Sequence, residues 1–271
     1  MKDLLKRTLS GAVFVIILVG GMLWNAYSFL GLFLVISLLG NLEFLNLMNK
    51  IKSEPPKILS LILGILTYTG LAAIAVGCID NRYLTIIVAF VLLLFVIELF
   101  RLNDSPLTNI AGSIASVIYA VVPFALLSFI AFRDGTPESF SGEIVLSMFV
   151  LLWIFDSSAY LVGVNFGKNR LYEKISPKKS WEGAIGGLII TLALAWLFSV
   201  YFDHLSLVQW IVLSLIVGVF GTLGDLTESM FKRAAGVKDS GNIMPGHGGV
   251  LDRFDAMLFI SPIVWIYLQW I

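Results

Sequence analysis

The run VLSLIVGVFGTL, residues 212–223, decides the fold class of this chain. It contains no charged side chain, and the apolar stretch around it extends over about residues 206–224. A transmembrane helix needs roughly 20 predominantly apolar residues. A membrane-spanning β-barrel would instead alternate apolar and polar positions in segments of about 10 residues, and this run does not alternate. It therefore predicts a membrane-spanning helix.

Similar runs recur along the whole chain. Of its 271 residues, 58% are hydrophobic and 13% are charged, whereas a typical soluble domain has roughly 25% charged residues. The sequence predicts an all-α integral membrane protein, a polytopic bundle of about nine transmembrane helices. The predicted spans are residues 9–24, 28–48, 58–78, 83–100, 107–131, 144–166, 183–202, 206–224 and 254–270.

The basic residues divide unevenly between alternate loops. With the N-terminus in the cytoplasm and nine crossings, sixteen of the eighteen Lys and Arg residues fall on the cytoplasmic side. The other two, Arg82 and Arg133, fall outside. Because cytoplasmic loops carry the excess of Lys and Arg, we predict a multi-pass protein with its N-terminus in the cytoplasm and its C-terminus outside. The short loops and small size favour a prokaryotic cell membrane.

The start of the chain has a second interpretation. A basic segment, an apolar core and the small residues around Ala26 resemble a cleavable secretory signal. We favour an uncleaved first span, because the charge alternation requires this helix.

Polar side chains divide the chain into two parts. Residues 106–271 carry nearly all the charged chemistry, so we predict a catalytic transmembrane part there and a transmembrane scaffold over residues 1–105. The scaffold spans hold few polar side chains: Asn41, Glu43, Asn46 and Glu98. We interpret Glu43 and Glu98 as facing the bundle interior. The formal net charge is zero, which excludes a bulk basic surface for nucleic acid. The Gly-rich spans favour helix association, and a homodimer is consistent with them.

Charge is concentrated in the stretch SMFKRAAGVKDSGNIMPGHGGVLDRFD, residues 229–255, and just before it. Ionisable groups at a membrane boundary are costly, so such a cluster indicates a functional site. If span eight continues as a helix, one face carries Asp225, Glu228, Ser229 and Lys232. Consecutive spans are expected to be neighbours, which would bring Asp225 and Asp252 together. Carboxylates from two helices suit Mg²⁺, which also keeps water and phosphate ligands.

Simpler interpretations of these residues exist. Asp252 and Asp255 are three apart at the start of span nine and can share a face there, but they could instead form a helix cap without a metal. Asp225 and Glu228 could pair with Lys232 on the helix surface.

The loop of Gly246, His247, Gly248 and Gly249 could let the backbone approach a polyphosphate, because glycine has no Cβ.

An earlier loop segment, residues 156–183, carries a second concentration of polar side chains. Asp156 lies near the cytoplasmic end of span six, and Lys178 and Lys179 precede Ser180 at the start of span seven. A helix start favours anions, so a phosphate site is one interpretation. The other is an ordinary positive-inside loop with Ser180 as the helix N-cap.

Taken together, these motifs resemble the phosphatidate cytidylyltransferase (CDP-diacylglycerol synthase) family. The resemblance covers about residues 150–256 and is most specific in the C-terminal motif, where charged and glycine positions follow in fixed order. Ser180 stands where Thr is usual, and Ala256 where Ser is common. The positions that carry the C-terminal resemblance are Ser229, Lys232, Arg233, Lys238, Asp239, residues 245–249, Asp252, Arg253 and Asp255.

The resemblance implies a membrane nucleotidyltransferase of phospholipid biosynthesis. CTP and phosphatidate would give CDP-diacylglycerol and pyrophosphate with Mg²⁺, and a second cation could share the site. The residues expected to be catalytic are Asp225, Asp252, His247, Lys232 and Arg253. Those expected to bind the nucleotide are Lys178, Lys179, Ser180, Ser229, Arg233, Lys238, Asp239, Gly246, Gly248 and Gly249. Metal ligands would be Asp225 and Asp252, followed by Asp255, Glu228 and Asp156.

Two other functions remain open from the sequence. A CTP-dependent lipid kinase of the dolichol or phytol type resembles this family in its C-terminal motifs, but it transfers the γ-phosphoryl group and releases CDP. An ion-coupled transporter could also use membrane carboxylates. Transporters place such residues near the midplane and often show repeated halves, whereas this cluster lies at one face and the sequence shows no repeat.

Overall fold

The protein is mainly helical in the computed structural model, which describes residues 2–243 and 248–270. Its helices are α1 (Lys2–Leu23), α2 (Ala26–Lys50), α3 (Lys57–Ala75), α4 (Leu84–Arg101), α5 (Pro106–Ala120), α6 (Val122–Ala131), α7 (Gly142–Phe166), α8 (Trp181–Tyr201), α9 (Leu207–Ala234), α10 (Leu251–Phe254) and α11 (Met257–Leu268). Strands β1 (Arg170–Tyr172) and β2 (Ser176–Ser180) form an antiparallel hairpin between α7 and α8.

The predicted polytopic helical membrane fold is confirmed. Within the described residues, seven helical segments are long and apolar enough to cross a membrane, with α5 and α6 counted together as one. Shorter apolar helices cover Thr8–Leu23 and Met257–Leu268. Each predicted span therefore coincides with helix in this part of the chain. The total of nine crossings and their orientation stay predictions.

The predicted fifth span is divided into two helices. Helix α5 ends at Ala120 and α6 begins at Val122, with Pro123 in its first turn. Proline has no backbone N–H to donate to the preceding turn and its ring crowds that turn, so the helix is interrupted here.

The chain divides into two compact units. The first comprises Met1–Gly142 and Phe231–Phe254, and the second comprises Glu143–Met230 and Asp255–Ile271. This division differs from the predicted boundary at residue 105, because α5 and α6 pack on α2 and α3 and so belong with the first helices. The scaffold and catalytic roles assigned to the two parts stay predictions.

Aromatic rings form much of the core of the first unit. Phe33 in α2 lies 4.8 Å from Phe29 and 6.0 Å from Phe124 in α6, measured between ring centroids. Phe254 in α10 contacts the same cluster, 5.4 Å from Phe124. The Tyr68 hydroxyl of α3 donates to the Leu30 carbonyl of α2 at 2.8 Å. Close packing and such interhelical hydrogen bonds are what hold helices together in lipid.

A buried polar network fastens α4 and α5 to the turn before α3. Glu98 in α4 accepts from Arg101 at 2.8 Å and from the Asn109 amide of α5 at 2.5 Å. Asn109 in turn accepts from the Glu54 backbone N–H at 2.6 Å. The predicted interior position of Glu98 is confirmed by its 2% exposure, and its charge is matched by Arg101.

Glycines let the helices of the second unit approach closely. A Cβ on Gly187 of α8 would lie 2.8 Å from the Ala159 Cβ of α7 and 3.1 Å from the Phe155 carbonyl oxygen. A Cβ on Gly224 of α9 would lie 3.0 Å from the Ala256 Cα. Small residues at helix interfaces are typical of membrane bundles.

The hairpin of β1 and β2 is absent from the predicted elements. Its register pairs Arg170 with Ser180 and Tyr172 with Ser176. Ser180 then caps α8, where its side chain accepts from the Gly183 N–H at 3.2 Å. The predicted N-cap is thus confirmed. The strands were not predicted because they are too short to show an alternation of apolar and polar residues.

The predicted ninth span begins with a break. Helix α10 ends at Phe254 and α11 begins at Met257, so the prediction that Asp252 and Asp255 share one continuous helical face is wrong. The Asp255 side chain accepts the Ala256 N–H at 2.8 Å. A side chain that takes a backbone N–H in this way competes with helical hydrogen bonding.

We expect Gly187→Val to destabilise the protein more than Gly31→Val. Both positions lie inside helices, so the change in helix propensity is matched, but Gly31 has open space where a Cβ would lie. Overpacking the α7–α8 contact should cost about 1–3 kcal/mol. Thermal unfolding of the full-length protein in detergent measures this difference, and equal melting temperatures would contradict the packing role of Gly187.

Candidate active site

A cavity of about 610 Å³ lies within the second unit. Its walls come from the C-terminal half of α7, the β1–β2 hairpin, the start of α8 and α9. Its charged lining residues are Asp156, Arg170, Lys178, Lys179 and Asp225. The cavity therefore combines carboxylates with several cations, as a site for phosphate groups and a metal requires.

Asp225 and Lys179 form the central ion pair of this cavity. The Lys179 Nζ lies 2.5 Å from Asp225 Oδ2, and about a third of each side chain is exposed. The Ser229 hydroxyl donates to Asp225 Oδ1 at 3.2 Å. Helix α9 continues to Ala234, so the predicted helical face of Asp225, Glu228, Ser229 and Lys232 is confirmed. On this face Glu228 is buried, with 1% exposure.

The hairpin positions the lysines that precede α8. Glu182, in the first turn of α8, accepts from the backbone N–H groups of Lys168 and Asn169 at 3.1–3.2 Å. It also accepts from the Asn169 amide at 2.7 Å. These contacts tie the loop after α7 to the helix that follows β2. The cavity is consequently lined by residues of an ordered hairpin, namely Lys178, Lys179 and Ser180.

Asp252 lies in the first unit and has a dense set of donors. Lys232 Nζ donates to its Oδ1 at 2.6 Å. Its Oδ2 accepts from the N–H and hydroxyl of Ser240, each at 2.9 Å, and from the Gly249 N–H at 2.8 Å. The N-cap interpretation of Asp252 is wrong, because α10 begins one residue earlier, at Leu251.

Asp252 is an ionised group in this setting. Burial alone would raise its pKa. The hydrogen bond and charge of Lys232 and the N–H groups of Gly249 and Ser240 together lower the pKa by more than burial raises it. The pKa of this carboxyl consequently lies below its ordinary value. Its negative charge at neutral pH fixes the positions of Lys232 and of the backbone at Ser240 and Gly249.

Glu43 is a residue of this cluster that the sequence analysis missed. Its carboxylate accepts from the N–H groups of Val250 and Leu251, each at 2.9 Å, and from the Ser240 hydroxyl at 3.0 Å. The predicted interior position is correct, but its contacts join α2 to the C-terminal motif. A contact across 197 residues leaves no local signal in one sequence.

The remaining predicted site residues are less enclosed. Arg233 donates to the Val237 carbonyl at 3.0 Å, and Lys238, Asp239 and Arg253 are exposed. Gly246 and His247 lie outside the described residues.

Residues 5–271 match the model of the Cytidylyltransferase family. The chain belongs to this family. A protein of Staphylococcus saprophyticus named phosphatidate cytidylyltransferase is 34% identical over 269 residues, which is 97% of this chain and 98% of that protein. One of Staphylococcus haemolyticus with the same name is 35% identical over 266 residues, 97% and 98% of the two chains. A third of that name, from Haemophilus influenzae, is 50% identical over 125 residues, 44% of this chain and 43% of that protein.

Metal binding in this cytidylyltransferase-family chain stays a prediction. In the part of the chain that the structure describes, no group of three or more His, Cys, Asp or Glu side chains is placed to hold a metal. Mg²⁺ usually takes only one or two carboxylates and completes its shell with water and phosphate oxygens. The predicted ligands Asp225 and Asp252 lie in different compact units, each with the partners described above.

We expect Asp252→Asn to destabilise the protein far more than Asp239→Asn. The amide would face Lys232 and the N–H groups of Ser240 and Gly249 without a negative charge, and breaking a buried ion pair in this way costs about 3 kcal/mol. Asp239 is exposed, so its neutralisation should change stability by less than about 0.5 kcal/mol. Melting temperatures in detergent make the comparison, and an unchanged Asp252→Asn protein would show that these contacts contribute nothing.

Proposed function

We propose that this chain transfers the cytidylyl group of CTP to phosphatidate, giving CDP-diacylglycerol and pyrophosphate. The observation that carries the proposal is the cavity in which Lys178, Lys179 and Arg170 line the same space as Asp156 and Asp225. Membership of the Cytidylyltransferase family and the names of the relatives support the choice of this reaction.

The chemistry asks for neutralisation of charge rather than for a strong base. A phosphomonoester has its second pKa near 6, so the phosphatidate phosphate is mostly dianionic at neutral pH. One of its oxygens attacks the α-phosphorus of CTP, a new P–O bond forms, and the bond from the α-phosphorus to the β-phosphate bridging oxygen breaks. Pyrophosphate leaves with that electron pair. Two anions must approach each other, so alignment and electrostatic stabilisation supply the catalysis.

The residues of the cavity suit these demands. Lys178, Lys179 and Arg170 would bind phosphate oxygens, and the α8 start capped by Ser180 adds a positive dipole end. Lys179 is held against Asp225, so its ammonium group is already oriented. A phosphate that enters would compete with the carboxylate for this lysine. Which cation contacts CTP and which contacts the lipid stays open.

A divalent cation fits the acidic side of this cavity. Asp225 is partly exposed and Asp156 lines the same space, and two carboxylates open to solvent and substrate phosphate are a donor set that Mg²⁺ takes. Asp225 and Asp156 would hold Mg²⁺, which when bound would neutralise phosphate charge and the departing pyrophosphate. The ion pair with Lys179 supports this proposal, because the Asp225 carboxylate already lies against a cationic group. The predicted contribution of Asp252 is a separate proposal that mutation tests.

The substrates set the orientation that we propose. Phosphatidate is a membrane lipid and CTP is a cytoplasmic nucleotide, so the cavity should face the inner leaflet and the cytoplasm. The positive-inside distribution supports this orientation, since the hairpin lysines belong to a loop assigned to the cytoplasm.

The first test is product analysis with purified full-length protein. Labelled CTP, phosphatidate and Mg²⁺ should yield labelled CDP-diacylglycerol and pyrophosphate in equal amounts. Chelation of the metal should abolish the reaction. Release of CDP with a phosphorylated lipid would instead identify a lipid kinase, and absence of any nucleotide turnover would leave the ion-coupled transporter as the function to examine.

A second test addresses the cavity itself. We expect Asp225→Asn to lower turnover on the order of 100-fold or more and to raise the Mg²⁺ concentration needed for half-maximal rate. Glu173→Gln is the matched control, because Glu173 is an exposed carboxylate on the hairpin that does not line the cavity. Both variants should keep the native melting temperature within a few degrees. Undiminished turnover of Asp225→Asn at every Mg²⁺ concentration would exclude its role as a ligand.

A further inference from the structure

Glu43 holds a segment that lies about 200 residues away in the sequence. Glu43 is 3% exposed, and its carboxylate accepts from the N–H groups of Val250 and Leu251 and from the Ser240 hydroxyl. Burial of a carboxylate without compensating hydrogen bonds is costly. The carboxylate of Glu43 therefore depends on the positions of Ser240, Val250 and Leu251, and these positions in turn depend on Glu43.

Ser240 joins Glu43 to Asp252. Its hydroxyl oxygen lies 3.0 Å from Glu43 Oε2 and 2.9 Å from Asp252 Oδ2. A serine hydroxyl has a single proton, so it can donate to only one of the two carboxylates at a time. The backbone N–H of Ser240 also donates to Asp252. The position of Asp252 is consequently coupled to that of Glu43 through one residue.

The same carboxylates explain why glycine occupies positions 241, 248 and 249. A Cβ on Gly249 would collide with both oxygens of Glu43 and lie 2.5 Å from the Ser240 hydroxyl. A Cβ on Gly248, whose φ is +83°, would lie 2.6 Å from Asp252 Oδ2. A Cβ on Gly241 would also collide with Glu43. These glycines leave the space that the two carboxylates occupy.

We propose that Glu43 is a positioning residue for the cytidylyl transfer: it sets the backbone at Val250 and Leu251 and, through Ser240, the carboxylate of Asp252. This inference rests on the proposed function and on the predicted role of Asp252 in it. Glu43 acts through these neighbours and need not touch the substrate. A helix of the predicted scaffold part thus contributes to the chemistry assigned to the other part.

The test compares Glu43→Gln with Glu98→Gln in the full-length protein in detergent. Both carboxylates are buried in helices of the same unit, with 3% and 2% exposure, and each accepts hydrogen bonds from another segment. Glu43 accepts hydrogen bonds from Ser240, Val250 and Leu251, whereas those given above for Glu98 come from Arg101 and Asn109. The readouts are kcat and KM for CTP, the melting temperature, and hydrogen exchange of the peptide that contains residues 240–251.

We expect Glu43→Gln to lower kcat on the order of 10- to 100-fold and to accelerate exchange in residues 240–251. Glu98→Gln should lower the melting temperature by a similar amount to Glu43→Gln. It should keep kcat within about threefold of the wild-type value and leave exchange in residues 240–251 at the wild-type rate. Unchanged exchange in Glu43→Gln, or the same loss of kcat in both variants, would overturn the proposal.

Ser240→Ala gives a second measurement if Glu43→Gln does not fold. It keeps Glu43 and removes the hydroxyl link, so kcat should fall and exchange near Ser240 should accelerate. A Ser240→Ala protein with native kcat and native exchange would overturn the coupling. Wild-type protein that makes no CDP-diacylglycerol would overturn the proposed function, and the exchange measurement would still decide whether Glu43 holds the segment.

Discussion

Ionised side chains in a membrane-embedded helix bundle must find their partners within the chain, because hydrocarbon offers no hydrogen-bond donors. The described residues meet this constraint in separate places. Glu98 is matched by Arg101 and Asn109, and Glu43 is matched by backbone N–H groups and Ser240. A carboxylate satisfied by backbone N–H groups fixes the course of the main chain, whereas one satisfied by a flexible lysine leaves that course free.

The same distinction separates the two acidic residues that the sequence singled out. Asp252 has oxygens surrounded by backbone and side-chain donors and is 7% exposed at its side chain. Asp225 is 34% exposed, and its partners are Lys179 on the hairpin and the hydroxyl of Ser229. A group with open coordination positions can take a new ligand at low cost, and a saturated group must first lose its donors. Asp225 is therefore the better placed of the two to meet an incoming cation, while Asp252 is held as part of a local structure.

Composition and spacing were sufficient for the fold class and for the helical face of Asp225 and Lys232, since both depend on residues close together in sequence. The break between Phe254 and Met257 was not predictable, because it arises where Asp255 takes a backbone N–H. The hairpin was missed because its strands span three and five residues, too few for a period to show. Glu43 was assigned to the interior correctly, but its partners are reached only through the tertiary fold.

The glycines of the chain illustrate why a motif can be recognised before its physical reason is known. The sequence suggested that Gly248 and Gly249 let a backbone approach a polyphosphate. In the structure the absence of a Cβ at these two glycines leaves space for the carboxylates of Glu43 and Asp252. A phosphate site next to these carboxylates would have to overcome their charge, and exposed bases such as Lys238 and Arg253 can offset it. Gly248 and Gly249 thus accommodate two acidic side chains. A nucleotide could bind beside them only if nearby bases offset the negative charge of these acids.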